Sequence, residues 1–414
     1  MNREYELKLR AQKVFPRGIY GHLSTRLMPE NYPQFFTSAK GVRMTGVDGR
    51  EYIDFMCAFG LNLFGYGDEE INDAYIKQML KTDTLTGVSP VMVELAERFT
   101  GIVSHADWAI FVKNGTDATT LGAMIARAHT KREKIIIAEG AYHGAAAWCS
   151  ASPGTTAGER AGRIPCTYND VDSLERAVAM AGDDLAAIFA TPFKHDVLID
   201  QAEPHAAYAR RARELCDMTG ALLVVDDVRA GFKLARDCSW SVVGVEPDLS
   251  SWGKCIANGH PISALLGSDK ARKAAGEVSF TGSFWFQSAP MAASLVTLDR
   301  IMNTPYLENI HALGHALRVG MAGVADKWGV GLRQTGPVTM PMFLFDDDPD
   351  LRKGYFWCAE MVSRGVYMHP FHNMFISNAL TMDDIEQTLA AADGAFEALA
   401  AQGSGLRPNT RLRA

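Results

Sequence analysis

Ala221-Leu-Leu-Val-Val-Asp-Asp-Val228 is five apolar residues followed by two carboxylates. An unbroken apolar run of this length reads as a strand of a parallel sheet covered on both faces, and polar groups just past the carboxyl ends of such strands line the ligand crevice. Asp226 falls at that end. Downstream, Ser251-Trp-Gly-Lys-Cys255 sets a lysine, Lys254, after another short stretch of strand character. A lysine amine can join an aldehyde as a Schiff base. A buried carboxylate facing a pyridine nitrogen keeps that nitrogen protonated, so the ring can accept electrons from a carbanion.

A third segment adds a place for phosphate. Phe111-Val-Lys-Asn-Gly-Thr-Asp-Ala-Thr-Thr-Leu-Gly-Ala-Met-Ile-Ala-Arg127 reads as a strand end, a small polar turn, and a helix with apolar residues at Leu121, Met124, Ile125 and Ala128. Gly115 and Thr116 fall at the mouth of that helix, where unpaired backbone N–H groups and the positive dipole end receive anions and glycine permits close approach. Turn, aspartate and lysine, in that order, make the donor set of a pyridoxal 5′-phosphate (PLP) site.

The ordered motifs resemble the class III aminotransferases of the fold-type I PLP enzymes, and within them the glutamate-1-semialdehyde 2,1-aminomutase-like branch. The resemblance runs from Phe15-Pro-Arg-Gly18 through Val47-Asp-Gly-Arg-Glu-Tyr-Ile-Asp-Phe55, Asn114-Gly-Thr-Asp-Ala118, Glu139-Gly-Ala-Tyr-His-Gly144, Cys166-Thr-Tyr-Asn-Asp170 and Asp226-Asp-Val-Arg-Ala-Gly-Phe232 to Lys254. It implies that Lys254 carries the Schiff base, Asp226 contacts the pyridinium, Gly115 and Thr116 hold the phosphate, Tyr142 stacks on the ring and Val228 packs on its opposite face. His143, in the same loop as Tyr142, reads as a hydrogen-bonded member of the cofactor site. Asp227 reads as a structural neighbour of the ring partner. Within Ser279-Phe-Thr-Gly-Ser-Phe-Trp-Phe-Gln287, Ser283 is the aligned hydroxyl and Thr281 a second candidate for reaching the phosphate of a neighbouring subunit.

Departures from the family pattern are also informative. The Glu-Pro that commonly ends the strand before the aspartate strand is Thr191-Pro192 here, followed by Phe193-Lys-His-Asp196. Where the aminomutases place a substrate-binding arginine the alignment puts Ser24, with Arg26 two residues on. Because a planar guanidinium matches a carboxylate, Arg26 is the first candidate for substrate recognition and Arg229 the second. Phe59, Asn62, Phe284 and Trp285 resemble pocket-lining positions, with Phe59 and Trp285 the aromatic candidates.

Apolar runs at 109–112, 134–138, 187–190, 222–225, 249–252 and 264–267 alternate with helical stretches such as 204–219, which predicts an α/β fold with a mostly parallel sheet between helix layers. The expected organisation is an N-terminal arm and part of a small domain at 1–65, a large PLP-binding domain at 66–301, a smaller α/β domain at 302–402 and a mobile tail at 403–414. In the first of these, Asp48-Gly49 reads as the turn of a hairpin spanning 41–55.

The net charge of −7 offers no attraction to nucleic acid or an anionic membrane, and no apolar stretch reaches the roughly 20 residues of a membrane span. Seven dispersed cysteines suggest reduced thiols in a cytoplasmic enzyme. His369 and His372 have a metal-like spacing without a third ligand, so no metal is expected and a substrate-side loop is the preferred reading. The activity expected is aminotransfer between an amine or amino acid and a carbonyl acceptor by two half-reactions through pyridoxamine phosphate, in a homodimer. The alternative is an aminomutase that runs the same half-reactions within one molecule.

Overall fold

The computed structural model describes residues 3–194 and 198–412. His195 and Asp196 of the Phe193–Asp196 stretch lie outside the described residues, as do the first two residues of the arm and the last two of the tail. The chain divides into two compact units, residues 1–68, 197–200 and 308–414 in one and residues 69–196 and 201–307 in the other.

The second unit is built on a seven-stranded sheet. Its strands lie in the order Trp108–Val112, Ser263–Gly267, Leu249–Trp252, Leu222–Asp226, Leu185–Ala190, Lys134–Ala138 and Arg163–Cys166. Ser263–Gly267 runs antiparallel to both neighbours, while the other pairings are parallel. Leu185–Ala190 and Leu222–Asp226 are buried at every position, as expected of strands covered on both faces. Helix Gly115–Thr130 lays Leu121 and Ile125 onto Phe189, Val224 and Leu265 of the sheet in one continuous core.

Arg163–Cys166 is a strand that apolar patterning alone passes over, because Arg163 and Pro165 interrupt its run. It sits at the sheet edge, where a proline removes no ladder bond that the sheet needs.

The first unit carries a four-stranded sheet, Phe36–Lys40, Arg43–Gly46, Glu51–Asp54 and Val366–Tyr367, the last pair parallel. Its central hairpin turns at Asp48-Gly49, where Gly49 has φ 82° and Gly46 N–H donates to the Arg50 carbonyl at 2.8 Å. A second hairpin pairs Leu332–Thr335 with Met342–Phe345. The closing helix Met382–Gln402 begins with a capping box in which Thr381 and Asp384 exchange bonds, and Arg43 adds a 2.7 Å contact to the same carboxylate. Within the segment expected as the tail, Asn409 N–H donates to Asp350 at 3.0 Å and the Leu406 carbonyl accepts from Arg352 at 3.2 Å.

Candidate functional site

Four loops leave the same edge of the seven-stranded sheet, because Trp108–Val112 and Leu249–Trp252 both run opposite to the strand between them. Asn114-Gly-Thr follows the first of these strands, Tyr142-His143 follows Lys134–Ala138, Asp226 ends its own strand and Lys254 follows Leu249–Trp252. Parallel pairing opposes Asp226 to Ser251 in register, so the carboxylate and the lysine segment meet by topology.

Asp226 is buried, and both its oxygens are engaged. One accepts the Val228 N–H at 3.2 Å, and the other lies 2.8 Å from His143 Nδ1. The His143 ring is itself buried, edge-on to Phe189 at 5.1 Å, and its Nε2 meets no partner among the described residues. The histidine is fixed through its main chain as well, since Thr119 Oγ1 donates to the His143 carbonyl at 2.6 Å. Adjacent Asp227 points elsewhere and accepts the Ser239 N–H at 2.9 Å; burial pushes its carboxyl up to about 6.

The turn before helix Gly115–Thr130 has no room for a side chain. A Cβ on Gly115 would stand 2.6 Å from Val228 Cγ1, and one on Gly144 would stand 2.6 Å from Thr116 Oγ1. Val228 is therefore wedged against Gly115, and a Cβ on Gly253 would stand 3.4 Å from the same Cγ1. The Asn114 amide is held by Asp117 at 2.8 Å. The Thr116 hydroxyl accepts from Ala145 N–H at 3.1 Å and, among the described residues, donates to none. Helix-start N–H groups, a hydroxyl proton to spare and glycine at the closest approach are the donors a phosphate needs.

Lys254 opens a short 3₁₀ turn, Lys254–Ala257, with φ 51°, a left-handed conformation that is strained for a lysine. Gly253 before it is extended, and a Cβ there would stand 2.8 Å from Ser263 Oγ. Burial pulls the Lys254 amine down to about 7, with the positive charges of Arg229 and Lys233 acting in the same direction. Among the described residues no group accepts a hydrogen bond from that amine. Arg229 lies close enough to Asp226 and Tyr142 to feel their charges, and burial pulls its guanidinium down to about 10.

Lys254, Asp226, Val228, Gly115, Thr116, Tyr142 and His143 thus share one sheet edge. Thr281 and Ser283 are exposed in the loop before helix Ser288–Asn303, and neither makes a hydrogen bond among the described residues. Trp285 in the same loop packs on the core and on Phe280 at 5.2 Å. Arg26 and Phe59 belong to the other unit. Arg26 is exposed there, whereas Phe59 lies among the rings of His22, His369 and His372 at 5.4 to 6.3 Å.

Gly144, Thr119, Gly253 and Lys233 were not singled out by the sequence. The two glycines carried a signal, since a glycine beside a polar loop marks a close approach. Thr119 and Lys233 carried none, because a threonine or lysine at helical or turn spacing is ordinary.

The sequence profile described as aminotransferase class-III matches residues 27–391. The aminopentol aminotransferase of Sphingopyxis macrogoltabida is 54% identical over 411 residues, covering 99% of this chain and 97% of that one. A solved structure of the FumI protein of Sphingopyxis sp. MTA144 in its PLP internal aldimine form has a TM-score of 0.97 and 54% identity to this chain, covering 99% of each. The glutamate-1-semialdehyde 2,1-aminomutase of Acetivibrio thermocellus is more distant, at 30% identity over 406 residues, 92% of this chain and 94% of that one.

Proposed function

The chain belongs to the class-III aminotransferases and is a PLP-dependent enzyme that moves an amino group from a donor to a carbonyl acceptor, and we propose that its donor is an aminopentol, handled by Lys254 and Asp226. The observation that carries the substrate is the 54% identity, over 99% of the chain, to a protein named for that activity. The aminomutase alternative is weaker, since the relative of that name stands at 30%.

When bound, PLP supplies an aldehyde that takes up an amino group and a ring that accepts electrons from the carbon bearing it. Lys254 would provide the amine that holds the cofactor and a base beside the reacting carbon, and burial, which pulls its free amine down to about 7, suits it to both removal and return of a proton. Asp226 keeps the ring nitrogen protonated, and His143 fixes the carboxylate from behind. Gly115 and Thr116 hold the phosphate. Val228 and Tyr142 confine the two faces of the ring and exclude water.

The working unit is a homodimer in which Thr281 or Ser283 reaches the cofactor phosphate of the partner subunit. Phe284 and Phe286 in the same loop are 62% and 45% exposed, and burying each fully is worth about 1.5–3 kcal/mol. Light scattering should give a dimer or a multiple of it. Hybrids of Lys254→Ala subunits with Thr281→Ala/Ser283→Ala subunits should regain activity; a fully active monomer would remove the arrangement. The enzyme works in the cytoplasm, a reading supported by seven free, buried thiols, and no helix among the described residues is long and apolar enough to cross a membrane.

The test of the whole reading is to mix the purified enzyme with a panel of amines that includes an aminopentol and follow the cofactor spectrum. Conversion to the pyridoxamine form with release of a free carbonyl product is expected. Isomerisation of one substrate without a second partner would point to a mutase instead. Lys254→Ala should lose turnover by roughly 10³-fold or more while still retaining some PLP, because anchoring and proton transfer rest on different residues. Borohydride reduction and peptide mapping should find the pyridoxyl group on Lys254.

A further inference from the structure

Lys233 is one of the largest fully buried side chains of the molecule, 1% exposed, at a place where the established chemistry assigns nothing. It lies in the loop that follows Asp226, and its Nζ donates to the Arg229 carbonyl at 3.0 Å and to Cys255 Sγ at 3.2 Å. Cys255 is the residue after Lys254. Its thiol also donates to the Gly231 carbonyl at 3.2 Å, so the loop after the aspartate and the turn that carries the lysine are joined through Lys233 and Cys255. The loop has no slack. A Cβ on Gly231 would stand 2.7 Å from the Trp252 ring, and Phe232 packs on the same ring at 4.6 Å between centroids.

An apolar residue could fill such a position, and burying an amine in its place is costly without compensation. We infer that Lys233 is a positioning residue for the aminotransfer reaction: it clamps the Lys254 turn to the Asp226 loop and, by its like charge, keeps the Lys254 amine in the neutral form that attacks an aldehyde. The inference rests on the reading of Lys254 as the cofactor lysine. The charged and titratable groups that bear on that amine are Arg229 and Lys233, which disfavour its proton, and Cys255 and Asp226, which favour it. Lys233 bonds to the Arg229 carbonyl and to Cys255 Sγ, the neighbour of Lys254, so it acts on the reaction through Lys254. Arg229 contributes in the same sense, and Lys233 also ties the two segments together.

The sign is fixed by the chemistry. A neutral amine is needed for loading, so the rate at which cofactor-free protein takes up PLP should rise with pH through a midpoint near 7. Removing a neighbouring positive charge raises that midpoint toward the ordinary lysine value.

Lys233→Met and Lys233→Gln should both move the midpoint up by about half a pH unit or more, which is ~3-fold slower loading at fixed pH below it. Lys233→Arg should bring it back. Loading at high pH, where the amine is neutral in every variant, should agree within about twofold. The measurement is the second-order rate of PLP uptake by absorbance across pH, with thermal melting run alongside. A purely structural lysine predicts a lower melting temperature with unmoved midpoints, and superimposable profiles for Lys233→Gln and the parent would overturn the inference. Should Lys233→Met fail to fold, the Gln and Arg variants decide it. Borohydride mapping separates the two readings. A pyridoxyl group on another lysine ends the Lys254 assignment, whereas label on Lys254 with unmoved midpoints ends only the role of Lys233.

Discussion

Asp54 and Asp226 each end a strand, each is buried, and each organises the turn that follows, yet the two turns differ in what they use the carboxylate for. Asp54 spends its oxygens locally, on Met56 N–H at 2.7 Å, Cys57 N–H at 2.9 Å and the Tyr66 hydroxyl at 2.7 Å. The turn it holds is left-handed at four successive residues, Cys57, Ala58, Phe59 and Gly60, with φ between 46° and 85°. For residues other than glycine that conformation costs about 1–2 kcal/mol each, so a well-bonded anchor is needed to hold it. Asp226 accepts one local N–H and otherwise faces a histidine ring 83 residues away in sequence. A carboxylate absorbed in backbone bonds sets conformation, while one left to a distant ring remains available for chemistry.

The sharpest way to break that comparison is to neutralise the second carboxylate. Asp226→Asn should cost ~10²–10⁴ in kcat/KM with little change in folding, because it removes a charge preorganised for the reaction. A near-parental rate would mean that Asp226 is as structural as Asp54 and that another group holds the ring nitrogen.

A smaller effect is expected at the glycine turn before helix Gly115–Thr130. Gly115→Ala drives a methyl to within 2.6 Å of Val228 Cγ1, and overpacking of this kind costs roughly 1–3 kcal/mol. It should appear as about tenfold faster loss of PLP on gel filtration. In a Val228→Ala background the added penalty should shrink, and a double-mutant cycle measures the coupling. Equal penalties in both backgrounds would show that the wedge does not set the turn.

The smallest effect sharpens the other half of the comparison. Burial pushes the Asp54 carboxyl up to about 6 from the ordinary 3.8. A folded-state value above the unfolded one gives stability that is full below the ordinary value and is lost as pH rises through about 6. Asp54→Asn should destabilise by about 1–3 kcal/mol, by leaving backbone donors facing an amide. Since asparagine does not titrate, the deficit relative to the parent should be larger near pH 4.5 than near pH 7.5 in urea unfolding. A deficit that grows with pH would mean that Asp54 is stabilised as the anion and that its bonds outweigh its burial.

The legible parts of this molecule are those where residue type alone restricts the outcome. Leu185–Ala190 and Leu222–Asp226 read as covered strands because an unbroken apolar run has no solvent face, and Asp48-Gly49 reads as a turn because glycine is suited to positive φ there. Arg163–Cys166 escaped because an edge strand tolerates the residues that interrupt a central one. The left-handed turn at Cys57–Gly60 escaped too. Three of its four residues disfavour that conformation, which is supported by the Asp54 carboxylate accepting from Met56 and Cys57 N–H while the Tyr66 hydroxyl donates to the same carboxylate.

By itself the sequence determined the α/β rhythm and the order of glycine turn, aspartate and lysine behind apolar runs, because an unbroken apolar run reads as a covered strand and parallel strands deliver the residues after them to one edge. The tertiary structure alone decided which ring braces Asp226, which side chain wedges Gly115, and that Lys233 lies buried against Cys255 beside Lys254. Each of those depends on a distance between segments far apart in the chain. Short-range patterning carries no information about such distances, whereas burial and close packing fix them to within a fraction of an ångström.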